Sequence, residues 1–163
     1  MSVEIRPYRH ADQPALVERI RELQAYIASL DDLNRSRRSA DFDAERYVRR
    51  LLEKVSQQAG VIYLADDDGA IVGCIAGTIP ENTEDDILET YPSKDGRVLE
   101  LHVQHGRRGQ RLGLRLVQEI EKYFREHGCV GCHVDCFSPN AEAHEFYRKV
   151  GYTDRMTTLL KIL

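Results

Sequence analysis

Residues 98–129 read VLELHVQHGRRGQRLGLRLVQEIEKYFREHGC. The first six form a short strand, the next eight a turn rich in Gly and Arg, and the remainder a helix whose Leu112, Leu116, Ile120 and Phe124 recur on one face. Gly128 closes that helix, as a residue tolerant of positive φ does. A strand that passes through a Gly-containing loop into a helix aims several backbone N–H groups and the positive end of the helix dipole at one point. That arrangement suits a phosphate or pyrophosphate. Arg107, Arg108, Arg111 and Arg115 crowd positive charge around the same turn. Basic residues at a helix N-terminus are unfavourable unless an anion offsets them, so the alternative of a merely solvated basic turn is the weaker one.

The elements outward from this unit alternate between strand and helix. Val3 to Arg9 reads as a short strand, and Asp12 and Pro14 announce a helix with Leu16, Ile20, Leu23, Ile27 and Leu30 on one face. After the polar segment Asn34 to Arg38, a second helix starts near Asp43, buries Val48, Leu51, Leu52 and Val55, and stops at Gly60. VIYLADDDGAIVGCIAGTI, residues 61–79, is two strand-like runs joined at Asp68-Gly69, a dipeptide suited to a tight hairpin. Glu81 to Asp95 carries six acidic residues against the single Lys94 and reads as a surface loop, either a solvated connection or an electrostatic lure for a cationic acceptor. Val130 to Phe137 reads as a buried strand with Cys132, Val134 and Cys136 on one face.

The chain has 163 residues and a formal charge of −4. Its length fits one continuous domain spanning 1–163, large enough to fold around a core without metal or disulfide staples. The acidic balance provides no global field for nucleic acid or an anionic membrane and favours a small soluble partner. No signal-like apolar run opens the chain and no stretch is long enough to span a bilayer, so the expected location is cytoplasmic and the four cysteines are expected as thiols. Cys129-Val130-Gly131-Cys132-His133 spells a haem-attachment pattern and Cys136 extends it towards a zinc set. Small apolar packing on a strand is the better reading, and no metal is expected.

Arg108-Gly109-Gln110-Arg111-Leu112-Gly113 resembles the Arg/Gln-x-x-Gly-x-Gly/Ala coenzyme A signature of the GNAT acetyltransferases. Val103 stands five residues before it, like the last strand residue of that family, and Asn140 to Tyr152 (NAEAHEFYRKVGY) resembles the family's second motif. Arg111 departs from the usual Gly and His105 from a frequent Pro. The resemblance extends to the order of elements over essentially the whole chain. It implies an α/β fold (α+β in arrangement): a mixed, mostly antiparallel sheet flanked by helices, with a parallel strand pair splayed apart.

It also implies acetyl transfer from acetyl-CoA to a primary amine of a small molecule or peptide, by direct attack in a ternary complex. The backbone of Leu101, His102 and Val103 would pair with the pantetheine arm, Arg108 to Gly113 would wrap the pyrophosphate, and Asn140 would touch the same arm. Tyr147 matches a tyrosine that protonates the leaving thiolate, although an aromatic in an amphipathic helix can equally be core. Glu100 occupies a position from which family members recruit a general base. His102, on the same face, competes with it through a better-matched reference pKa, and His144 is a third candidate. Acceptor choice would reside in Leu23 to Arg50 and the acidic loop. A sensor that binds acyl-CoA without turnover, and a module that binds only the phosphate end, are the alternatives. The acceptor and the oligomeric state, a homodimer included, are not fixed by the sequence.

Overall fold

The computed structural model describes residues 3–163. In chain order it forms β1 (Glu4–Pro7), a 3-10 turn (His10–Asp12), α1 (Gln13–Ser29), α2 (Ala44–Gln57), β2 (Val61–Asp67), β3 (Ala70–Thr78), α3 (Glu84–Glu89) and β4 (Asp95–Val103). A second 3-10 turn (His105–Arg107), α4 (Leu112–Glu126), β5 (Gly131–Val134) and α5 (Ala141–Lys149) follow. The sheet runs β1-β2-β3-β4-β5, antiparallel except for the parallel β4–β5 pair. This is the mixed, helix-flanked sheet anticipated from the sequence.

β3 is apolar along nearly its whole length because helices cover both of its faces. On one side α1 and α2 bury Leu16, Ile20, Val48 and Leu51 against Ile62, Leu64 and Cys74. On the other, α4 lays Leu116, Val117, Ile120 and Phe124 onto Ile75 and Val98. Phe124 fits because two facing sheet positions lack side chains: a Cβ on Gly96 would stand 2.3 Å from its ring, and one on Gly77 2.8 Å. The β2–β3 hairpin turns at Asp68 and Gly69, with φ of 51° and 91°, the left-handed pair of a two-residue turn whose twist matches the strands. Asp66 Oδ1 accepts from the Gly69 amide at 2.6 Å.

Several boundaries differ from the sequence reading. Only Leu16, Val17, Arg19 and Ile20 of α1 are buried; Leu23, Ile27 and Leu30 are half-buried, because the second half of α1 overhangs the region beyond β4. The acidic segment is not all loop. Thr83 and Asp86 form a reciprocal capping box, each side chain taking the other's backbone N–H, and this fixes α3. The first strand covers Glu4–Pro7, not Val3 to Arg9. β5 is half-buried and confined to Gly131–Val134, its pairing with β4 ending at Val98, and Val130 just before it is 82% exposed. Among the described residues no helix is long and apolar enough to cross a membrane.

Candidate active site

β4 and β5 pair only from Asp95↔Gly131 to Val98↔Val134. Leu99 to Val103 therefore extend past β5 with the edge facing it unpaired, while the opposite edge remains bonded to β3. An irregularity between Ala76 and Gly77 leaves Leu99 without a register partner on β3 and turns it towards the α1–α2 core. From there the side chains alternate. Leu101 and Val103 pack on the α4 side, whereas Glu100 and His102 point to α2 and α1.

Glu100 is half-buried and accepts a hydrogen bond from the Tyr47 hydroxyl of α2. Burial raises its carboxyl to about 6, against the opposing pull of Tyr47 and of the Lys54 charge. His102 is only 5% exposed, and its Nε2 lies 2.9 Å from Glu22 Oε2. Glu22 is itself held by Arg19, whose Nη1 donates to the Ile71 carbonyl at 2.9 Å. Burial keeps the His102 pKa below its ordinary value although Glu22 pulls upward, so the imidazole stays neutral and its Nε2 is engaged.

β4 leads into the Arg-rich loop. Gly109 has φ 84° and nothing within 4 Å of the place a Cβ would take, which leaves open space beside its backbone. Arg111 caps α4 with φ 58° and ψ 16° and is exposed. This left-handed geometry is one that glycine adopts freely and that strains an L side chain, which gives a physical reason for glycine at this place in the signature. No side chain caps α4, so its first-turn N–H groups face the loop. Gly113 faces α5, and a Cβ there would make only ordinary contact with the Phe146 ring at 3.6 Å.

The four arginines do not act together. Arg115 donates to the Val3 carbonyl at 2.7 Å and Arg107 pairs with Asp67, so both serve the scaffold. Arg108 lies at the cleft, its Nη1 3.0 Å from Glu142 on α5 and its guanidinium 4.9 Å above the Tyr26 ring. A cleft of about 520 Å³ opens here between Glu22, Tyr26, His102 and Arg108. Gln110 and Arg111 are exposed at its loop, and Leu112 is buried as the first core residue of α4.

On the far side of the splay, Asn140 caps α5, its Oδ1 accepting from the Ala143 amide at 3.2 Å, which leaves its side-chain NH₂ for another partner. Tyr147 is 8% exposed and meets Phe146 and Tyr152 edge-on at 5.2 and 5.3 Å. Burial first, then the neighbouring Cys136 and Cys132 and the charge of Glu100, push its phenol above the ordinary range. Among the described residues, His144 Nε2 is buried without a hydrogen-bond partner; His144 lines a broad groove with Tyr147. Cys132 packs beside the α4 core with its Sγ 3.1 Å from the Tyr152 hydroxyl, and all four thiols are free.

Tyr47, Glu22, Tyr26 and Glu142 were not singled out from the sequence. Each acts across the fold, 34 to 116 positions from its partner, and periodicity carries no such signal. Glu142 alone had a local cue, an acidic first turn in a helix capped by Asn140.

The sequence profile of the acetyltransferase (GNAT) family matches residues 27–152. A probable N-acetyltransferase 14 of Danio rerio is 32% identical over 103 residues, which are 62% of this chain and about a third (32%) of the relative's length. Among solved structures, a mutant of the BH1408 protein of Bacillus halodurans superposes with a TM-score of 0.80 at 18% identity, covering 98% of this chain and 99% of that one. An aminoglycoside 6'-N-acetyltransferase of Acinetobacter haemolyticus gives 0.70 at 14% identity, covering 98% and 97%. At such identities the superpositions speak for the fold. The profile spans the end of α1 through α5, including the splayed strand and the arginine loop, and on that ground the chain belongs to the GNAT acetyltransferase family.

Proposed function

We propose that this protein moves an acetyl group from acetyl-CoA to a primary amine of a small molecule or peptide, by direct attack with both substrates bound. The observation that carries the reading is the stretch of β4 beyond Val98: its edge is unpaired towards β5, it bears Glu100, and it runs into a loop whose N–H groups and Arg108 suit a pyrophosphate. The extended pantetheine amides would hydrogen-bond to the backbone of Leu101, His102 and Val103, as an added strand does. Arg108, Gly109, Gln110, Arg111, Leu112 and Gly113 would surround the pyrophosphate, and the side-chain NH₂ of Asn140 would reach the arm. No residue of this set requires a metal.

Glu100, in its carboxylate form, takes the proton from the acceptor ammonium, directly or through one water, and the freed amine attacks the acetyl carbonyl. Tyr147, a phenol protonated at neutral pH, gives its proton to the departing thiolate as negative charge develops on the sulfur. His102 holds its position against Glu22 and contributes backbone groups to the donor site.

Thermal unfolding with and without excess acetyl-CoA tests the donor site. A ligand that binds only the folded state stabilises it by about 2.7 kcal/mol at a hundredfold excess over Kd, so the midpoint is expected to rise by several degrees. Amines that release thiol from such a complex then identify the acceptor. A folded protein with no shift would remove the acetyl-CoA reading, and a shift without turnover of any amine would leave a binding role.

A further inference from the structure

Arg108 walls the cleft beside His102, and its charge is already engaged. Its Nη1 lies 3.0 Å from Glu142 Oε2, its guanidinium stacks 4.9 Å above the Tyr26 ring, and its Nε makes a long contact of 3.5 Å with the Val103 carbonyl. The Tyr26 hydroxyl closes the circuit by donating to the same Glu142 oxygen at 3.3 Å. Tyr26 stands on the overhanging half of α1, Val103 ends β4, and Glu142 belongs to the first turn of α5. The guanidinium therefore bridges the mouth of the splay, from the β4 side to the α5 side.

This bridge contributes little to the fold. The Arg108 and Glu142 side chains are 28% and 64% exposed, and water screens such a pair. Its weight falls on what else the guanidinium can bind. Arg107 is paired with Asp67 and Arg115 is committed to the Val3 carbonyl, which leaves Arg108 as the arginine on the cleft wall. A guanidinium grips a phosphate with two parallel bonds, through the Nη1/Nη2 fork or the Nε/Nη2 fork. Glu142 occupies one arm of the first fork, and the Val103 carbonyl lies against one arm of the second. Either grip requires Arg108 to change partners, and a carboxylate that stays beside the phosphate repels it.

We propose that Glu142, steadied by the Tyr26 hydroxyl, competes with the coenzyme A diphosphate for Arg108. Donor binding then includes an exchange in which the guanidinium leaves the carboxylate for the phosphate, and Glu142 holds donor affinity below what the arginine loop alone would give. The proposal rests on the acetyl-CoA reading above and adds to it a residue outside the signature loop that tunes the donor site. A carboxylate on a helix across the cleft opposes an anion that the loop attracts, so the affinity is set by the difference between the two.

The test is calorimetric titration of coenzyme A, at low ionic strength where such pairs are least screened, into wild type, Glu142→Gln, Arg108→Gln and the double variant. Arg108→Gln keeps a hydrogen-bond donor of the kind the signature also admits, so binding can still be followed. Glu142→Gln should tighten binding by roughly two- to fivefold, the weight of one partly exposed ion pair. In the Arg108→Gln background the same substitution should change nothing, because the competition has lost its object. Unchanged affinity in Glu142→Gln overturns the proposal. So does weaker binding, which would make Glu142 a residue that aims Arg108 at the phosphate. Equal tightening with and without Arg108 overturns it too, since the carboxylate would then act on the phosphates through its field alone. A folded wild type that binds no coenzyme A removes the donor reading and this proposal together, whereas binding indifferent to Glu142 removes this one alone.

Discussion

Half-buried beneath Tyr47, the Glu100 carboxyl titrates near 6 because desolvation outweighs the hydrogen bond it accepts. A base must be ionised to work, so kcat/KM should rise with pH through about 6 and then level. Glu100→Gln is expected to lower kcat/KM by roughly 10²–10³-fold and to erase that acidic limb. Tyr47→Phe removes a donor that favours the carboxylate, so the limb should move upward while activity at high pH persists. The same shift bears on stability. A carboxyl whose folded pKa stands above its unfolded value of about 4.3 opposes folding above pH 6, and that opposition disappears below about 4. Glu100→Gln should therefore raise the melting temperature at pH 7 and leave it nearly unchanged at pH 4. A variant slower and less stable at pH 7, with the limb intact, would remove Glu100 from the mechanism. None of this could be read from residues 98–103 alone: the alternation put Glu100 and His102 on one face, but the partners that distinguish them, Tyr47 and Glu22, come from helices 53 and 80 positions away.

At the level of elements, α4 was legible because its stripe, its arginine loop and Gly128 (φ 78°) agree with one another, and the β2–β3 hairpin because Asp68-Gly69 leaves little choice of turn. α3 was hidden: its Thr83–Asp86 capping box sits inside an acidic run that looks like solvent-facing loop. The buried half of α1 could not be told from its overhanging half, since Leu16 and Leu23 satisfy the same periodicity and only the sheet's extent separates them. Composition likewise does not say why residues 77 and 96 are glycine. α4 supplies the reason: the Phe124 ring fills the space of a Cβ at Gly96, and Ile120 together with Phe124 fills it at Gly77. Gly96→Ala should cost about 1–3 kcal/mol of overpacking, seen as a lower denaturation midpoint with unchanged slope. Phe124→Leu in the same chain should recover part of it, so that the double variant is more stable than the two losses added. Additive losses would show that the ring and the glycine do not meet.

Across the whole molecule, one arginine ties together parts of the chain that are distant in sequence. Arg6 on β1 donates to Asp12, in the 3-10 turn before α1, at 2.8 and 2.9 Å, and to Asp66, at the end of β2, at 2.7 Å. All three side chains are 12–15% exposed. The guanidinium lowers the Asp12 carboxyl to about 2 and holds Asp66 below its usual range. For a carboxylate whose folded pKa is depressed, the stabilisation is complete above the unfolded value near 3.9 and is lost as pH falls towards the folded one. The melting temperature should thus fall between about pH 4 and pH 2, beyond what the general build-up of positive charge produces. Arg6→Gln isolates this contribution. Without the guanidinium, Asp12 and Asp66 face each other unpaired, the variant should melt several degrees lower at pH 7, and mild acid should relieve the repulsion instead of breaking a bond. Between pH 6 and pH 4 the variant's melting temperature should accordingly rise relative to wild type, closing the gap between them. Parallel curves for the two proteins over that range would mean that the clamp contributes packing alone and that the acid sensitivity of the fold lies elsewhere.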